Sequence, residues 1–455
     1  REPEALGGGG YGRRGGGRVK IVSGSVVLDG SIISSGQTGA YRAGGGAGGS
    51  IWMDVGTLSG TGSIRANGAA TGSYAGAGAG GRVAIYYDDA SGFDLFSGIR
   101  TMGGDSPHHA SYDGASGTIY LKDNAEPLGR VVINNASQGS AGNSTDIATT
   151  LVEPIIVNNA KVRFLGAVTS AVLSVTNGVV TLDAEATIAD LSQRGGSFTQ
   201  TTNGLLSVTD MVVSNVNYTQ GAGLTADSLS ATGGSWAQNA TMTVLDDVTM
   251  DGGSWVLSTN QVLRTLGVTN VTVTQNGELS VDELRVTGGS WTINEALGAS
   301  NAYEISGGAT LVQNAGLTLP SPDILVSNWT WRANVAQTWD TVEIVSGGVV
   351  THDANITDLV FTVTSLLIDG SSRIDVTSKG TLNGPPAYAG GSHGGRGGNY
   401  SGASLPTFGD LREPETLGGG GYGRRGGGRV KIVAGSVVLD GSIISSGQTG
   451  AYRAG

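Results

Sequence analysis

Apolar and polar residues alternate along most of the chain, and glycine pairs interrupt the alternation at regular distances. Between about residues 126 and 375 a phrase of the form Leu-x-Val-x-Gly-Gly-Ser-Trp recurs in variants whose first residues lie 18 to 20 positions apart. The six clearest variants are LSQRGGSF (191–198), MVVSNVNY (211–218), LSATGGSW (229–236), VTMDGGSW (248–255), LGVTNVTV (266–273) and LRVTGGSW (284–291). A period of two predicts β-strands, and the glycine pairs predict the corners between them.

The segment 1–125 repeats with a longer spacing of 32 positions, so that Arg18, Ser50 and Arg82 correspond to one another. Gly-Gly followed by a short apolar strand occurs as GGRVKIV (16–22), GGSIWMDV (48–55), GGRVAIYY (80–87) and, more weakly, SGTIYLKD (116–123). Glycine arms such as GGGAGG separate these units. A strand, a turn, a second strand and a glycine arm cannot bury their own apolar face, so we expect each unit to stack on the next.

The segment 1–44 recurs almost unchanged at 412–455, an offset of 411 positions. Two positions differ: Ala5 corresponds to Thr416, and Ser23 corresponds to Ala434. Copies this similar predict a long unit that is repeated in tandem, and both chain ends are expected to be cuts in something longer.

These periods predict an all-β chain that forms a right-handed parallel β-helix, or β-solenoid, with glycine-rich arms and a 411-residue tandem repeat. A period of 18 to 20 positions is too short for a propeller blade, and the leucine-rich-repeat pattern is absent. The predicted segments are a glycine-rich solenoid with 32-residue repeats (1–125), a β-helix whose coils recur every 18 to 20 positions (126–375), a Gly/Pro-rich inter-repeat arm (376–411) and the start of the next repeat (412–455).

Composition and charge exclude several classes of protein. Glycine makes up 80 of 455 residues without falling at every third position, which excludes collagen, and the absence of cysteine excludes disulfides. No apolar run is long enough to predict a transmembrane segment. The net charge of −11 argues against a nucleic-acid partner. Residues 180–370 hold 19 acidic and 4 basic side chains, whereas residues 1–44 hold six basic and three acidic ones. This contrast favours head-to-tail contact, with ordinary solvated surface as the alternative.

Aromatic residues recur at the spacing of the coils and form a candidate ladder, because equal positions in successive coils lie above one another. The ladder consists of Phe198, Tyr218, Trp236, Trp255 and Trp291. If these rings face inward they form a stacked core, which is the preferred interpretation. If they face outward they form a flat apolar strip for sugars or for a neighbouring filament.

Six residues are candidates for contacts between repeats: Tyr11, Arg13, Arg14, Tyr388, Tyr400 and Phe408. The two arginines lie in GGGGYGRRGGG, where the phosphate-binding pattern GxxxxGK[ST] is absent. A surface position or inter-unit pairing with the acidic middle zone is therefore the better hypothesis. Tyr388, Tyr400 and Phe408 lie in the Gly/Pro-rich arm. Their apolar side chains predict an ordered arm, with a flexible linker as the alternative.

Residues suited to catalysis or metal binding are few and scattered. The close polar pairs, Asp88–Asp89, Asp246–Asp247 and His352–Asp353, do not recur at the coil spacing, so we predict no catalytic residues and no enzyme. His108 and His109 would point to opposite faces of a strand. No cofactor and no metal site are expected, although calcium binding through scattered Asp residues stays open. Several Asn-x-Ser/Thr sequons permit glycosylation.

The glycine arms, SHGGRGG (392–398) and GTLSGTGSIRANG (56–68) resemble glycine-rich parallel β-helix tandem-repeat regions of very large bacterial secreted or surface proteins, of the filament or adhesin kind. The resemblance covers roughly residues 376–455 and 1–125. It implies an extracellular or cell-surface location and a role in filaments, matrix or adhesion. It carries over no catalytic residues.

The leading hypothesis is therefore the repeating body of an extracellular filament or matrix fibre, whose partner is itself through head-to-tail stacking and lateral contacts. The alternative is an adhesin or glycan-binding stalk, in which the aromatic ladder or the glycine arms bind surface glycans. Exposure of Trp236, Trp255 and Trp291 would support that alternative. A polysaccharide-degrading enzyme on the same fold is a third hypothesis, and it would need a cleft with converging carboxylates.

Overall fold

The computed structural model describes residues 5–40, 42–72, 74–136, 142–354, 356, 358–380, 382, 389–398, 403–412, 415–417, 419–421 and 423–449. Two of the candidate inter-repeat residues, Tyr388 and Tyr400, lie outside this set. The chain divides into two compact units, Arg1–Asp246 and Asp247–Gly455. Both units are all-β, and the one helix within the described residues is a single 3-10 turn, Ala110–Tyr112.

The described residues of the first unit form eighteen strands, most of them short. They are β1 Arg18–Val27, β2 Ser31–Ile33, β3 Ser50–Ser59, β4 Ser63–Arg65, β5 Arg82–Gly92, β6 Ile99–Arg100, β7 Thr118–Asp123, β8 Arg130–Asn134, β9 Thr145–Ile147, β10 Ile155–Asn158, β11 Lys161–Phe164, β12 Val168–Leu182, β13 Ala186–Gln200, β14 Leu206–Ser214, β15 Asn217–Gln220, β16 Leu224–Thr232, β17 Ser235–Gln238 and β18 Met242–Val244.

In the second unit, seventeen strands lie within the part of the chain that the structure describes. They are β19 Asp247–Asp251, β20 Ser254–Leu257, β21 Gln261–Thr269, β22 Thr272–Gln275, β23 Leu279–Thr287, β24 Ser290–Ile293, β25 Leu297–Ser306, β26 Thr310–Gln313, β27 Leu317–Thr318, β28 Asp323–Ser327, β29 Thr330–Ala333, β30 Gln337–Val345, β31 Val349–Thr351, β32 Asp358–Ile368, β33 Arg373–Asp375, β34 Arg429–Leu439 and β35 Ser442–Ile444.

The 32-residue spacing at the start of the chain is a strand register. β1, β3 and β5 pair in parallel, with Arg18 opposite Ser50 and Ser50 opposite Arg82. The smaller strands follow the same order, since β2 pairs with β4 and β4 with β6. Apolar side chains that alternate along these strands meet in one cluster, in which Ile51 and Ile85 are fully buried. The correspondence predicted from the sequence is therefore confirmed.

The 18-to-20-residue spacing is also a parallel register. β12 pairs with β13, β13 with β14 and β14 with β16, which aligns Leu191, Met211 and Leu229 in one column of successive strands. In the second unit β19, β21 and β23 pair in the same way and align Val248, Leu266 and Leu284. The members of both columns are buried. Side chains alternate between the two faces of a strand, so every second one points inward. Because the strands share one register, the inward residues of successive strands lie in one column and are buried together.

Among the strands that the structure describes, one pair departs from the expected parallel arrangement. β7 and β8 are antiparallel, with Ile119 opposite Val132 and Leu121 opposite Arg130. The short connection between them explains this direction. The segment that joins Asp123 to Arg130 has too few residues for the crossover that a parallel pair needs. β8 then pairs in parallel with β10, and the parallel order resumes.

The corners explain why the recurrent phrase carries either Gly-Gly or Asn at the same place. Gly233 and Gly234 have φ values of 63° and 72°, in the left-handed region that glycine adopts without steric cost. Asn215, one layer earlier in the same column, has a φ of 54°. Asn is the residue that tolerates this conformation best after glycine. The variants SNVNY and GGSW are therefore two solutions of the same turn.

The glycine arms of the first unit are joined by backbone hydrogen bonds in a three-residue period. The backbone N–H groups of residues 45 to 50 donate in a repeating order of three. Gly45 and Gly48 donate to the oxygens of Gly76 and Ala79, Gly46 and Gly49 to those of Gln37 and Ser34, and Ala47 and Ser50 to those of Gly8 and Gly17. Three residues per turn is the geometry of an extended polyproline II chain. Neighbouring backbones approach so closely that a Cβ on Gly78 would lie 2.0 Å from the Gly46 carbonyl oxygen.

Candidate functional site

Three of the five predicted ladder residues form one stack in the first unit. Phe198, Tyr218 and Trp236 are aligned by strand register. The ring centroids of Phe198 and Tyr218 are 5.2 Å apart, and those of Tyr218 and Trp236 are 4.1 Å apart, with interplanar angles of 8° and 23°. The stack lies in the interior, where its rings contribute both buried area and ring–ring attraction.

The Tyr218 hydroxyl is accommodated within this interior by a side-chain partner. It donates a hydrogen bond of 2.6 Å to Gln200 Oε1. Burial raises the pKa of Tyr218 well above its ordinary value, so the hydroxyl remains a neutral donor.

The other two predicted residues lie in the second unit, two strands apart in one column. Trp255 aligns with Val273, and Val273 aligns with Trp291. The same column continues through Leu311 to Trp331, a ring that the sequence analysis did not include. All five predicted rings are at most 4% exposed, so none of them offers a flat outer surface to a sugar.

A column of buried glutamines lies two residues beyond the aromatic column, and sequence reasoning missed it. Gln200, Gln220, Gln238, Gln275 and Gln313 are all buried. Their amide groups donate to main-chain carbonyls at the next corner, as in the 2.8 Å bond from Gln200 Nε2 to the Gly204 oxygen. Gln275 Oε1 and Gln313 Oε1 also accept the indole N–H groups of Trp291 and Trp331, at 3.2 and 2.9 Å. The sequence feature that indicates this glutamine column is a Gln two positions after the aromatic residue, as in SFTQ, NYTQ and SWAQ.

A second polar column runs along the second unit. Asn276, Asn294, Asn314 and Asn334 are linked by amide-to-amide hydrogen bonds of 2.8, 2.8 and 2.6 Å. Asn334 Nδ2 also donates to Asp353 Oδ2 at 2.7 Å, which ends the ladder on a carboxylate. Each side chain fixes the register of the next layer, because a slip would break the whole series.

The second copy of the repeated segment packs against the two strands that precede it in the chain. β34 pairs in parallel with β32 from Asp358 opposite Arg429 to Ile368 opposite Leu439, and β35 pairs with β33. Arg429 forms an ion pair with Asp358 and lies 3.8 Å from a Glu415 carboxylate oxygen. The Asp358 hydrogen bonds are the main cause that raises the Arg429 pKa.

The predicted inter-repeat residues differ in their surroundings between the two copies. In the first copy Tyr11 is 87% exposed and the Arg14 side chain is exposed. The counterpart of Arg14 is Arg425, whose Nη1 donates to the carbonyl oxygens of Ala354 and Gly380 at 3.0 and 3.4 Å. The counterpart of Arg13 is Arg424, and in both copies this arginine closes a short turn through its backbone N–H.

Phe408, a residue of the arm, is close both to another arm residue and to the second copy. Its ring centroid is 5.0 Å from that of His393, and a Cβ on Gly419 would lie 3.2 Å from its Cζ. His393 Nε2 in turn lies 2.9 Å from the hydroxyl of Thr416, the position occupied by Ala5 in the first copy. One of the two differences between the copies therefore supplies a hydrogen-bonding group to the arm.

His352 is fully buried at the same junction. Its Nδ1 lies 2.8 Å from the Asp353 carbonyl oxygen, and a Cβ on Gly428 would lie 2.8 Å from its Nε2. Nε2 has no hydrogen-bond partner within the described part of the chain. Burial lowers the His352 pKa, and the nearby Lys379 charge lowers it further.

We expect acid to weaken this junction through His352. Its folded pKa lies below the unfolded value of about 6.5, so its contribution to stability is complete above about pH 6.5 and is lost as pH falls below that value. His352→Asn, which keeps a donor near the Nδ1 position, should remove this part of the pH dependence. Urea midpoints measured from pH 7.5 to 5 for both proteins would check it, and parallel curves would contradict it.

Groups that could support enzymatic chemistry do not converge in the described residues. No three His, Asp or Glu side chains there lie close enough together to hold a metal ion. Two shallow grooves of about 370 and 360 Å³ lie on the second and first units, and the lining of each includes one carboxylate, Asp282 and Asp227 respectively. Hydroxyl, small and aliphatic side chains make up most of both linings.

Within the described residues, no helix has the length and apolar character needed to cross a membrane. Comparisons of the chain with protein-family models, with curated proteins and with solved structures give no match.

Proposed function

We propose that this chain is a structural repeat unit of an extracellular filament or matrix fibre. Successive 411-residue repeats would continue a single right-handed parallel β-helix, with the glycine-rich arms packed at its side. The observation that carries the proposal is the pairing of β34 with β32, in which the start of a second repeat continues the parallel register of the first.

The interior of the paired strands supports the proposal. Leu359, Phe361, Leu366 and Ile368 of β32 are fully buried where β34 covers them. In a solenoid each layer buries the apolar face of its neighbour, so stability adds up layer by layer and does not require a closed domain. A tandem array also covers the strand edges that otherwise pair with foreign chains.

The proposal includes an extracellular or cell-surface location and a relationship to repeat regions of large bacterial secreted or surface proteins. A chain without cysteine and rich in glycine arms, resembling repeat regions of large bacterial secreted or surface proteins, fits an extracellular or cell-surface fibre. A fibre of this kind needs no catalytic residue, no cofactor and no nucleic acid. Its partner is another copy of the repeat.

The adhesin alternative receives no support from the aromatic ladder. Binding a glycan through Trp236, Trp255 and Trp291 requires exposed rings, and these rings are buried. We therefore do not propose a glycan-binding role for that column.

The axial repeat of fibres assembled from tandem copies tests the proposal. About 17 successive strand layers, from β1 to β32, spaced by about 4.8 Å predict an axial rise of roughly 80 Å per 411-residue repeat. Electron microscopy with helical averaging measures this distance directly. A rise near half that value would mean that the layers do not form one continuous stack, and fibres without any layer spacing of about 4.8 Å would refute the solenoid.

A further inference from the structure

Two arginines lie one above the other on the surface of the first unit. β4 and β6 are short parallel strands that bury Ile64 and Ile99. Because side chains alternate along a strand, the next residues, Arg65 and Arg100, point outward, and the register places them directly opposite each other. Neither guanidinium forms an ion pair within the described residues. This surface therefore carries two positive charges in adjacent layers.

Three aspartates of the same unit occupy three successive layers. Asp190 of β13 lies opposite Asp210 of β14, and Asp227 belongs to β16, which pairs with the other edge of β14. Asp190 and Asp210 are exposed, and Asp227 is half-buried. Asp210 accepts a hydrogen bond of 2.7 Å from the Ser228 hydroxyl. None of the three carboxylates has a basic partner in the part of the chain that the structure describes.

The aspartates follow the shallow groove of the first unit, which has a volume of about 360 Å³. Asp227 lines this groove, and so do the residues directly before Asp190 and Asp210. Its lining also includes a column of exposed hydroxyl side chains, one in each layer: Thr187, Ser207 and Thr225. The groove thus offers a long side chain a concave surface with carboxylate and hydroxyl oxygens.

Each of the two charged sets is unfavourable in an isolated molecule. Like charges that face each other on neighbouring strands repel, and such strands are only about 4.8 Å apart. The carboxylates are not arranged for a metal ion, because no three His, Asp or Glu side chains among the described residues lie close enough to hold one. A guanidinium suits them better, since it can bind a carboxylate through two parallel hydrogen bonds.

The two sets also have the same spacing. Arg65 and Arg100 are one strand layer apart, and so are Asp190 and Asp210. When the first arginine of one molecule faces an aspartate of another, the second arginine is therefore level with the aspartate of the next layer. Sign and spacing both match between this chain and a second copy of it.

We propose that the acidic groove formed by Asp190, Asp210 and Asp227 is a lateral docking site for Arg65 and Arg100 of a second copy of this chain. This rests on the fibre proposed above and names the contact by which two fibres lie side by side.

Repetition makes this contact effective. A single exposed ion pair contributes little free energy and weakens in salt, so two single chains associate weakly. In a tandem array the same contact recurs in every repeat, and each contact formed raises the effective concentration for the next one. Fibres are therefore expected to bundle at concentrations at which single repeats remain separate.

Charge exchange tests the contact in the full chain. Arg65→Glu with Arg100→Glu places carboxylates opposite the acidic groove, and Asp190→Lys with Asp210→Lys places ammonium groups opposite the arginines. A chain with all four substitutions exchanges the two signs and restores attraction. Sedimentation equilibrium at about 0.05 and 0.5 M salt gives the dimer dissociation constant of each chain.

Two control variants carry the same changes in charge at exposed residues outside both sets. Arg82→Glu with Arg396→Glu matches the arginine reversal, since Arg82 faces Ser50 and Thr118 and no second arginine. Asp54→Lys with Asp251→Lys matches the aspartate reversal. An effect of net charge alone would appear equally in these controls.

We expect the unaltered chain to associate at low salt, and each reversal to weaken association at least about tenfold relative to its control. The chain with all four substitutions should return to within about threefold of the unaltered chain. The proposal is overturned if the unaltered chain shows no association at low salt, if either reversal equals its control, or if the fourfold variant stays as weak as the reversals. A loss with the aspartate reversal alone would assign the groove to another cationic partner.

Near-ultraviolet circular dichroism verifies that the variants keep their buried aromatic packing. The substituted side chains point away from the buried columns, so the axial rise of a fibre should not change with them. A fibre of the expected rise without lateral association would refute the docking site alone, and lateral association without that rise would refute the continuous solenoid alone.

Discussion

Gly78→Ala is expected to destabilise the first unit by ~3 kcal/mol, because its Cβ would lie 2.0 Å from the Gly46 oxygen. That oxygen accepts the N–H of Ala69, and Gly78 itself donates to the Ala69 carbonyl and accepts from Gly104. The clash is with backbone on an adjacent arm, so no side-chain rotation can relieve it. Separating the arms breaks several backbone hydrogen bonds at once.

Gly8→Ala is the matched control, since it lies in the same glycine network and has no atom within 4 Å of the added Cβ. Restricting the unfolded chain should make this variant equally stable or more stable, by up to ~1 kcal/mol. Urea unfolding gives the stabilities, and amide exchange at Ala69 and Gly104 localises the change. Equal losses in both variants would show that glycine acts here through general flexibility rather than close approach.

Tyr218→Ala is expected to cost ~3–5 kcal/mol, because it removes the middle ring of a three-ring stack. Phe198 and Trp236 would both face a cavity, and Gln200 Oε1 would lose its donor. The near-ultraviolet circular dichroism of the first unit should fall at the same time.

Tyr218→Phe separates the ring from its hydroxyl. It keeps both ring contacts and removes the 2.6 Å hydrogen bond to Gln200, so we expect a loss of only ~1 kcal/mol. Urea midpoints of the two variants provide the comparison. If both variants lost the same amount, the stack would contribute no stability beyond that hydrogen bond.

The parallel register could be predicted from the sequence because alternation and corner residues repeat with it. Arg18, Ser50 and Arg82 align as their spacing requires, and so do Leu191, Met211 and Leu229. A column requires the same kind of residue at each layer, so its period survives in the sequence. The antiparallel pairing of β7 and β8 could not be predicted in this way, because the short connection between the two strands, and not a repeat, determines their relative direction.

The side-chain partners could not be predicted as well. Trp331 continues the ladder, but the phrase around it, SNWTW, lacks the Gly-Gly-Ser that marked the other rings. Gln275 was overlooked because a polar residue in a strand is usually assigned to the outer face. It is buried here because the main-chain carbonyls of the next corner accept its amide protons. Such pairings depend on three-dimensional proximity, which spacing alone does not specify.

The long connection between β33 and β34 indicates where such a chain can accept an insertion. Paired residues are 18 apart at Asn217 and Ser235 but 71 apart at Asp358 and Arg429, and the register is parallel in both places. The entropy of closing a loop grows only slowly with its length. A foreign domain whose ends lie close together could therefore be inserted at this exit point without disturbing the layers. In the fibre proposed above, the chain would then serve as a scaffold that displays one cargo domain in every repeat.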